Sequence, residues 1–320
     1  MRFGLVLGAG GLVGIAYHAG VLAALEEVAG IVPHEADLIV GTSAGSVVGA
    51  HIRMGRTTAE LYELARAHPD VQAAERGDDM FQRAWRTPVG LVRRGIGSAF
   101  VIGRSLVRFP MPRIPSELRS MFPGGFYAVD GDDPMLAERL PEEWPQKALW
   151  LNAVDIRTGR RVVMGRSGHP HETLQQAVLA SCAIPGWYQP VRIGGRTLVD
   201  GGVHSTTNLD LAAKAGCRFI VGSVPMGFDP AERHRPARLI GRSFPNRSVE
   251  AEIVAARGQG AQVLLFRPTA AELPIHGPNG MRSSGLDLVA EAAYEAATER
   301  LSKDRSKQFV DQLERALAAA

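Results

Sequence analysis

Apolar positions run along this chain in two rhythms. Short β-branched and apolar runs at residues 2–8, 37–41, 148–155, 161–165, 197–199, 219–224 and 262–266 predict strands. Between them, apolar residues return at spacings of three and four, which predicts helices over 14–29, 44–54, 58–67, 173–181 and 209–215. Two more helical patterns, 286–301 and 303–317, close the chain. Strands alternating with helices predict an α/β fold with a mainly parallel central sheet between helix layers. Residues 68–146 break the rhythm with clustered Pro, Gly, Arg and bulky apolar side chains. They read as an insertion or cover within a single domain spanning 1–320.

The first apolar run changes the picture most. "LVLGAGGLVGIAYHAGVLAAL", residues 5–25, carries no formal charge and follows Arg2, so it imitates a signal peptide or a membrane span. Six of residues 4–25 are glycine, and each glycine inside a helix costs ~1 kcal/mol against alanine. A strand, a tight glycine turn and a helix fit better. Such a turn binds dinucleotides when it reads G-x-G-x-x-G and an acid ends the second strand. Here the third glycine falls one position late, at Gly14, and the second strand ends in "GTSAG" with no carboxylate.

That pentapeptide, residues 41–45, is G-x-S-x-G between a predicted strand and a predicted helix, the context of a nucleophile elbow. The spacing has a chemical reason. Ser43 must stand exposed on a strained turn, and Gly41 and Gly45 let the chain pack closely on either side. An elbow serine also needs a base and donors for the tetrahedral oxyanion. Backbone N–H groups of Gly10 and Gly11, at a helix N-terminus and without a Cβ in the way, suit the second role. Asp200, in "LVDGGV" at a strand end, suits the first. Among the histidines, His18, His51 and His204 stand nearest these motifs, and His204, four residues after Asp200, is best spaced to make a triad.

In order and context, "GAGGLVG" (8–14), "GTSAG" and the later "DGG" (200–202) resemble the patatin-like phospholipases. "SCAIPGWYQPVRIGGRTLVDGGV" looks like that family's approach to its aspartate, and "NLDLAAKAGCRFIVGSVP" like the segment after it. The resemblance covers 1–54 and 149–225. It implies a three-layer α/β sandwich and a serine acyl hydrolase that cleaves acyl esters of lipids through a Ser–Asp dyad, without a histidine. Carried over, the nucleophile is Ser43, the base Asp200 and the oxyanion donors Gly10 and Gly11. Gly8, Gly14, Gly41, Gly45, Gly201 and Gly202 support the motifs, and neither metal nor organic cofactor is implied. The loop departs from the family's G-G-G-x-[RK]-G: Ala9 replaces the first glycine and Val13 the basic residue, which leaves the backbone donors intact. The alternatives are a dinucleotide-binding protein of the Rossmann type and a catalytically inactive lipid-binding relative.

The formal net charge of +3 decides little, but its distribution does. Between Gln82 and Met121 stand eight arginines and one acid, Glu117. The interleaved Phe81, Trp85, Phe100 and Phe109 would suit stacking on bases, yet apolar bulk mixed with arginine favours peripheral contact with an anionic membrane surface. No nucleic-acid partner is expected. Cys182 and Cys217 lack metal-ligand spacing and read as two reduced thiols of a cytoplasmic protein, possible membrane contact aside.

Overall fold

Phe3, Leu5 and Leu7 alternate with Gly4 and Val6 along β1 (Arg2–Leu7), and the two sets face opposite sides, as the period of two requires. The computed structural model describes residues 2–67, 140–166, 172–185, 188–233, 235, 239 and 241–319. Most of the expected insertion, with all eight arginines of 82–121, lies outside them.

β1 is flanked by β2 (Leu38–Gly41) and β7 (Cys217–Ser223) and runs parallel to both. β3 (Ala148–Asp155) adds to β2 and β8 (Gln262–Phe266) to β7, again parallel. The expected parallel sheet is there, with an antiparallel arm the strand pattern did not foretell. β4 (Arg160–Met164) and β6 (Arg196–Asp200) both pair antiparallel with β3, and β5 (Val191–Ile193) pairs antiparallel with β6 at the edge.

Both faces of the sheet are covered. α1 (Gly11–Ala29), α2 (Ala44–Arg53), α3 (Thr58–Arg66) and α4 (Leu174–Ser181) share one apolar cluster with Phe3, Leu5 and Leu7. α5 (Asp210–Lys214) and α6 (Ser243–Gly258) cover the other face, over Val6, Val40 and Ile220. α7 (Glu272–His276) leads into α8 (Leu286–Ser302) and α9 (Asp304–Ala318), which return to the first face. α6, α7 and β5 are elements the periodicity reading did not anticipate.

α1 is long and apolar enough to cross a membrane by length and composition, but 72% of its most apolar window is buried in the protein. Val13–Leu25 are buried throughout. Each large apolar side chain buried there contributes ~1.5–3 kcal/mol, which outweighs the ~1 kcal/mol cost of a glycine. Gly20 also has a use: a Cβ there would stand 2.2 Å from Ala290 O, so the glycine lets α8 lie against α1. The helix ends where Gly30 turns left-handed (φ 62°), with Gly30 N–H bonded to Glu26 O and Ile31 N–H to Leu25 O. It starts at Gly11, three residues before the expected position, so the glycine turn is the helix's own first turn.

Candidate active site

β2 delivers the elbow. Ser43, between β2 and α2, has φ 53° and ψ −120°, a conformation that is costly for a residue with a Cβ. The turn is bound on all sides. A Cβ on Gly45 would stand 2.0 Å from Leu7 O, and one on Gly41 2.7 Å from Gly45 O. Thr42 N–H donates to Leu7 O (3.0 Å), and Thr42 Oγ1 accepts from the Asn152 and Asn208 amides (3.3 and 3.0 Å). Ser43 N–H donates to Ser181 Oγ (3.0 Å), which in turn donates to Asn152 O (2.7 Å). These partners, from β3, α4 and the segment after β6, hold the strained turn in place. Asn208 is itself left-handed (φ 53°), which asparagine tolerates, and its Oδ1 accepts from Arg161 at 2.8 Å.

β6 brings the carboxylate from the opposite direction. It runs against β3, so its last residue returns to the level of the elbow: Ala153 pairs with Asp200, two residues past Leu151, which pairs with Gly41. The Ser43 hydroxyl lies close enough to the Asp200 carboxyl to lower its pKa, and Asp200 Oδ1 accepts a hydrogen bond from Gly202 N–H at 2.7 Å. Its backbone N–H donates to Ala183 O (2.9 Å). Gly201 lies so close to β3 that a Cβ would stand 2.4 Å from Asn152 O. Ser43 and Asp200 are 4% and 5% exposed. Burial pushes the Asp200 carboxyl up to about 6, against the lowering effects of the Ser43 hydroxyl and the Gly202 N–H.

The glycine loop completes the cleft. Gly8 N–H donates to Ser223 O (3.0 Å) and Ala9 N–H to Thr206 O (2.7 Å). Gly8 O accepts from Gly45 N–H (3.1 Å) and from His18 Nε2 (2.7 Å), so one carbonyl joins the loop, the elbow and α1. Beyond it, the N–H groups of Gly10, Gly11 and Leu12 have no acceptor among the described residues, and neither has that of Ala44, directly after the serine. Gly11, Leu12, Ser43 and Ala44 share a cleft of about 300 Å³, part of it open to solvent. Gly10 sits one step behind, its carbonyl accepting from Gly14 N–H (2.9 Å) and its Cα against Pro225. Gly11, Leu12 and Ala44 thus line the cleft with Ser43, and Gly10 does not.

Of the three histidines, His18 is wholly buried and structural. Since Nε2 donates to Gly8 O, Nδ1 accepts from Ser223 Oγ (2.8 Å), which requires the neutral ring. Burial lowers its pKa to about 4. His204 is exposed and its N–H donates to Gly201 O (3.0 Å). Cys182 and Cys217 are buried and not disulfide-bonded, and Cys182 Sγ lies 3.6 Å from Ser46 Oγ. No cluster of three metal-ligating side chains occurs among the described residues. Sequence reasoning gave no role to Asn152, nor to Ser181 and Asn208, the first residues of two family-like segments; all three hold the elbow turn through hydrogen bonds. It also missed Ala44, whose place directly after the nucleophile was a usable signal.

Known proteins share parts of this chain. The uncharacterized protein YqhO of Bacillus subtilis is 26% identical over 249 residues, 75% of this chain and 75% of its own length. The uncharacterized NTE family protein MT2641 of Mycobacterium tuberculosis is 28% identical over 221 residues, 69% of this chain, and the chain spans only 29% of that protein. Among solved structures, VipD from Legionella pneumophila aligns over 97% of this chain and 67% of its own, with 13% identity and a TM-score of 0.40. The type III effector protein ExoU aligns over 96% and 53%, with 14% identity and a TM-score of 0.41. The sequence model of the patatin-like phospholipases matches residues 5–213, from the middle of β1 to the helix after Asp200, and the chain belongs to that family.

Proposed function

We propose that the chain is a serine acyl hydrolase that cleaves acyl esters of lipids through Ser43 and Asp200. One observation carries the reading: a buried carboxylate stands beside the hydroxyl of a serine held in a strained strand-to-helix turn. Asp200 takes the Ser43 proton as Oγ attacks the ester carbonyl. The oxyanion is met by the N–H groups of Gly11, Leu12 and Ala44, at the N-termini of α1 and α2, where helix dipoles favour negative charge. The C–O bond then breaks, and Asp200 returns the proton to the departing alcohol. Water repeats the sequence on the acyl-serine and releases the acid. A carboxylate at the usual pKa near 4 would be a weak base here. Burial raises it towards neutrality without neutralising it at pH 7. The arginines of 82–121 would meet anionic headgroups at the membrane surface.

The test is chemical. A fluorophosphonate should form its adduct on Ser43, and Ser43→Ala should lose both labelling and hydrolysis of p-nitrophenyl esters and phospholipid vesicles. Labelling of another serine, or full activity in Ser43→Ala, contradicts the reading. An inert wild-type protein would leave the inactive lipid-binding relative.

A further inference from the structure

The family match ends at residue 213, yet Met281, which lines the cleft together with Ser43, lies far beyond it. The loop 277–285 links α7 to α8, and a left-handed glycine stands at each end: Gly277 (φ 65°) and Gly285 (φ 66°). Its centre lies on the first turn of α1. Gly280 O accepts from Val13 N–H at 3.0 Å. A Cβ on Gly11 would stand 2.5 Å from Gly280 O and 2.8 Å from Met281 Sδ, and one on Gly280 would stand 3.0 Å from Gly10 O. The two glycine segments therefore meet backbone to backbone, and Met281 reaches over the contact into the cleft that holds Ser43.

The loop is held from within. Arg282 donates to Ile275 O and His276 O on the α7 side (2.5 and 3.3 Å) and to Ser284 O on the α8 side. Asn279 Oδ1 accepts from Met281 N–H at 3.0 Å. This arrangement fixes the Met281 backbone and leaves an unbranched, adaptable thioether as the variable surface. The remaining lining, which includes Leu12, Ile15, Val47 and Ile184, has no charged side chain, so the cleft suits a hydrocarbon chain next to the scissile carbonyl.

We infer that the loop 277–285 forms the outer wall of an acyl-chain subsite, and that Met281 sets the length of unbranched chain accepted at Ser43. The inference rests on the acyl hydrolase reading and adds to it a specificity element outside the family's motifs. Truncating Met281 opens the subsite, and each methylene newly accommodated raises kcat/KM by up to about fourfold. A bulkier ring closes it.

The experiment compares wild type, Met281→Ala and Met281→Phe on p-nitrophenyl esters from butyrate to palmitate, each normalised to its own best substrate. In parallel, labelling rates are measured with alkyl fluorophosphonates of graded length. The expected result is a shift of the preferred chain to longer acyl groups in Met281→Ala and to shorter ones in Met281→Phe, in turnover or, where an ester is turned over too slowly, in labelling. A merely structural Met281 would lower all chain lengths alike. An unchanged profile in both variants, with Ser43 still labelled, overturns the inference and leaves the hydrolase standing. A wild-type protein whose Ser43 is not labelled at all overturns both.

Discussion

Replacing Asp200 by Asn should make the protein more stable while it destroys activity. The isosteric amide keeps the shape and still accepts the Gly202 N–H bond, now at 2.7 Å to Oδ1, but it cannot ionise. The carboxyl is pushed from 3.8 to about 6, chiefly by burial and despite the lowering effects of the Ser43 hydroxyl and the Gly202 N–H. A raised pKa means that the folded state holds its proton more tightly than the unfolded chain. The favourable contribution is complete below 3.8 and is lost as pH rises through 6. At about pH 7.5 the ionised carboxylate thus costs folding about 3 kcal/mol, and at about pH 4.5 only about 1 kcal/mol. Asp200→Asn removes that cost, so its advantage over wild type should be largest at neutral pH and shrink on acidification. Urea unfolding of both proteins at the two pH values, with equal m-values as the two-state control, reads the difference directly. In wild type, kcat/KM on a short ester should rise with pH through a midpoint near 6, whereas the variant should be inactive throughout. An Asp200→Asn protein that is less stable than wild type by the same amount at both pH values would refute the reasoning, since the carboxylate would then be paired rather than desolvated.

Two further outcomes follow from the elbow and its support. Ser43→Gly should be inactive yet more stable by about 1–3 kcal/mol in the same unfolding assay, because glycine carries no strain at φ 53°, ψ −120°. His18→Gln should flatten the acid limb of stability. With the ring held down at about 4 against 6.5 when unfolded, the wild-type contribution is complete above 6.5, and about 3 kcal/mol of it is lost as pH falls to 4; the non-titrating variant should lack that loss in unfolding titrations.

The parallel half of the sheet was legible because buried strands are short, continuous and apolar. β1, β2, β3, β7 and β8 all fall where the apolar runs do. The antiparallel arm was harder. β5 has three residues, and its partner β6 begins with Arg196 and Thr197 at a half-exposed edge where no hydrophobic signal is required. α6 was missed although Val249, Ile253 and Ala256 keep helical spacing, since it opens on Ser-Phe-Pro and buries Asn246, which bonds to Phe228 N–H. Ser43 and Asp200 stood out in the sequence because elbow and strand-end aspartate carry local constraints. Asn208 and Ser181 did not, because each bonds across more than a hundred residues to a partner that no spacing rule connects. Met281 lay further out of reach, since only the folded chain places its loop over Gly11.

The central position of β1 has a consequence for how this site comes into being. β1 is synthesised well before β7, yet it owes one whole edge to β7, and His18 bonds to Ser223 across 205 residues. At synthesis rates of ~5–20 residues per second, that partner follows roughly 10–40 s later. Until then Gly8 and Ala9 lack the carbonyls of Ser223 and Thr206 that hold their N–H groups, and the apolar edge of β1 has nothing to pair with. The glycine loop therefore cannot take its working shape on the nascent chain. Loop and elbow are set together only when β7 docks, so a half-made chain displays the G-x-S-x-G motif without the glycine loop in its final place.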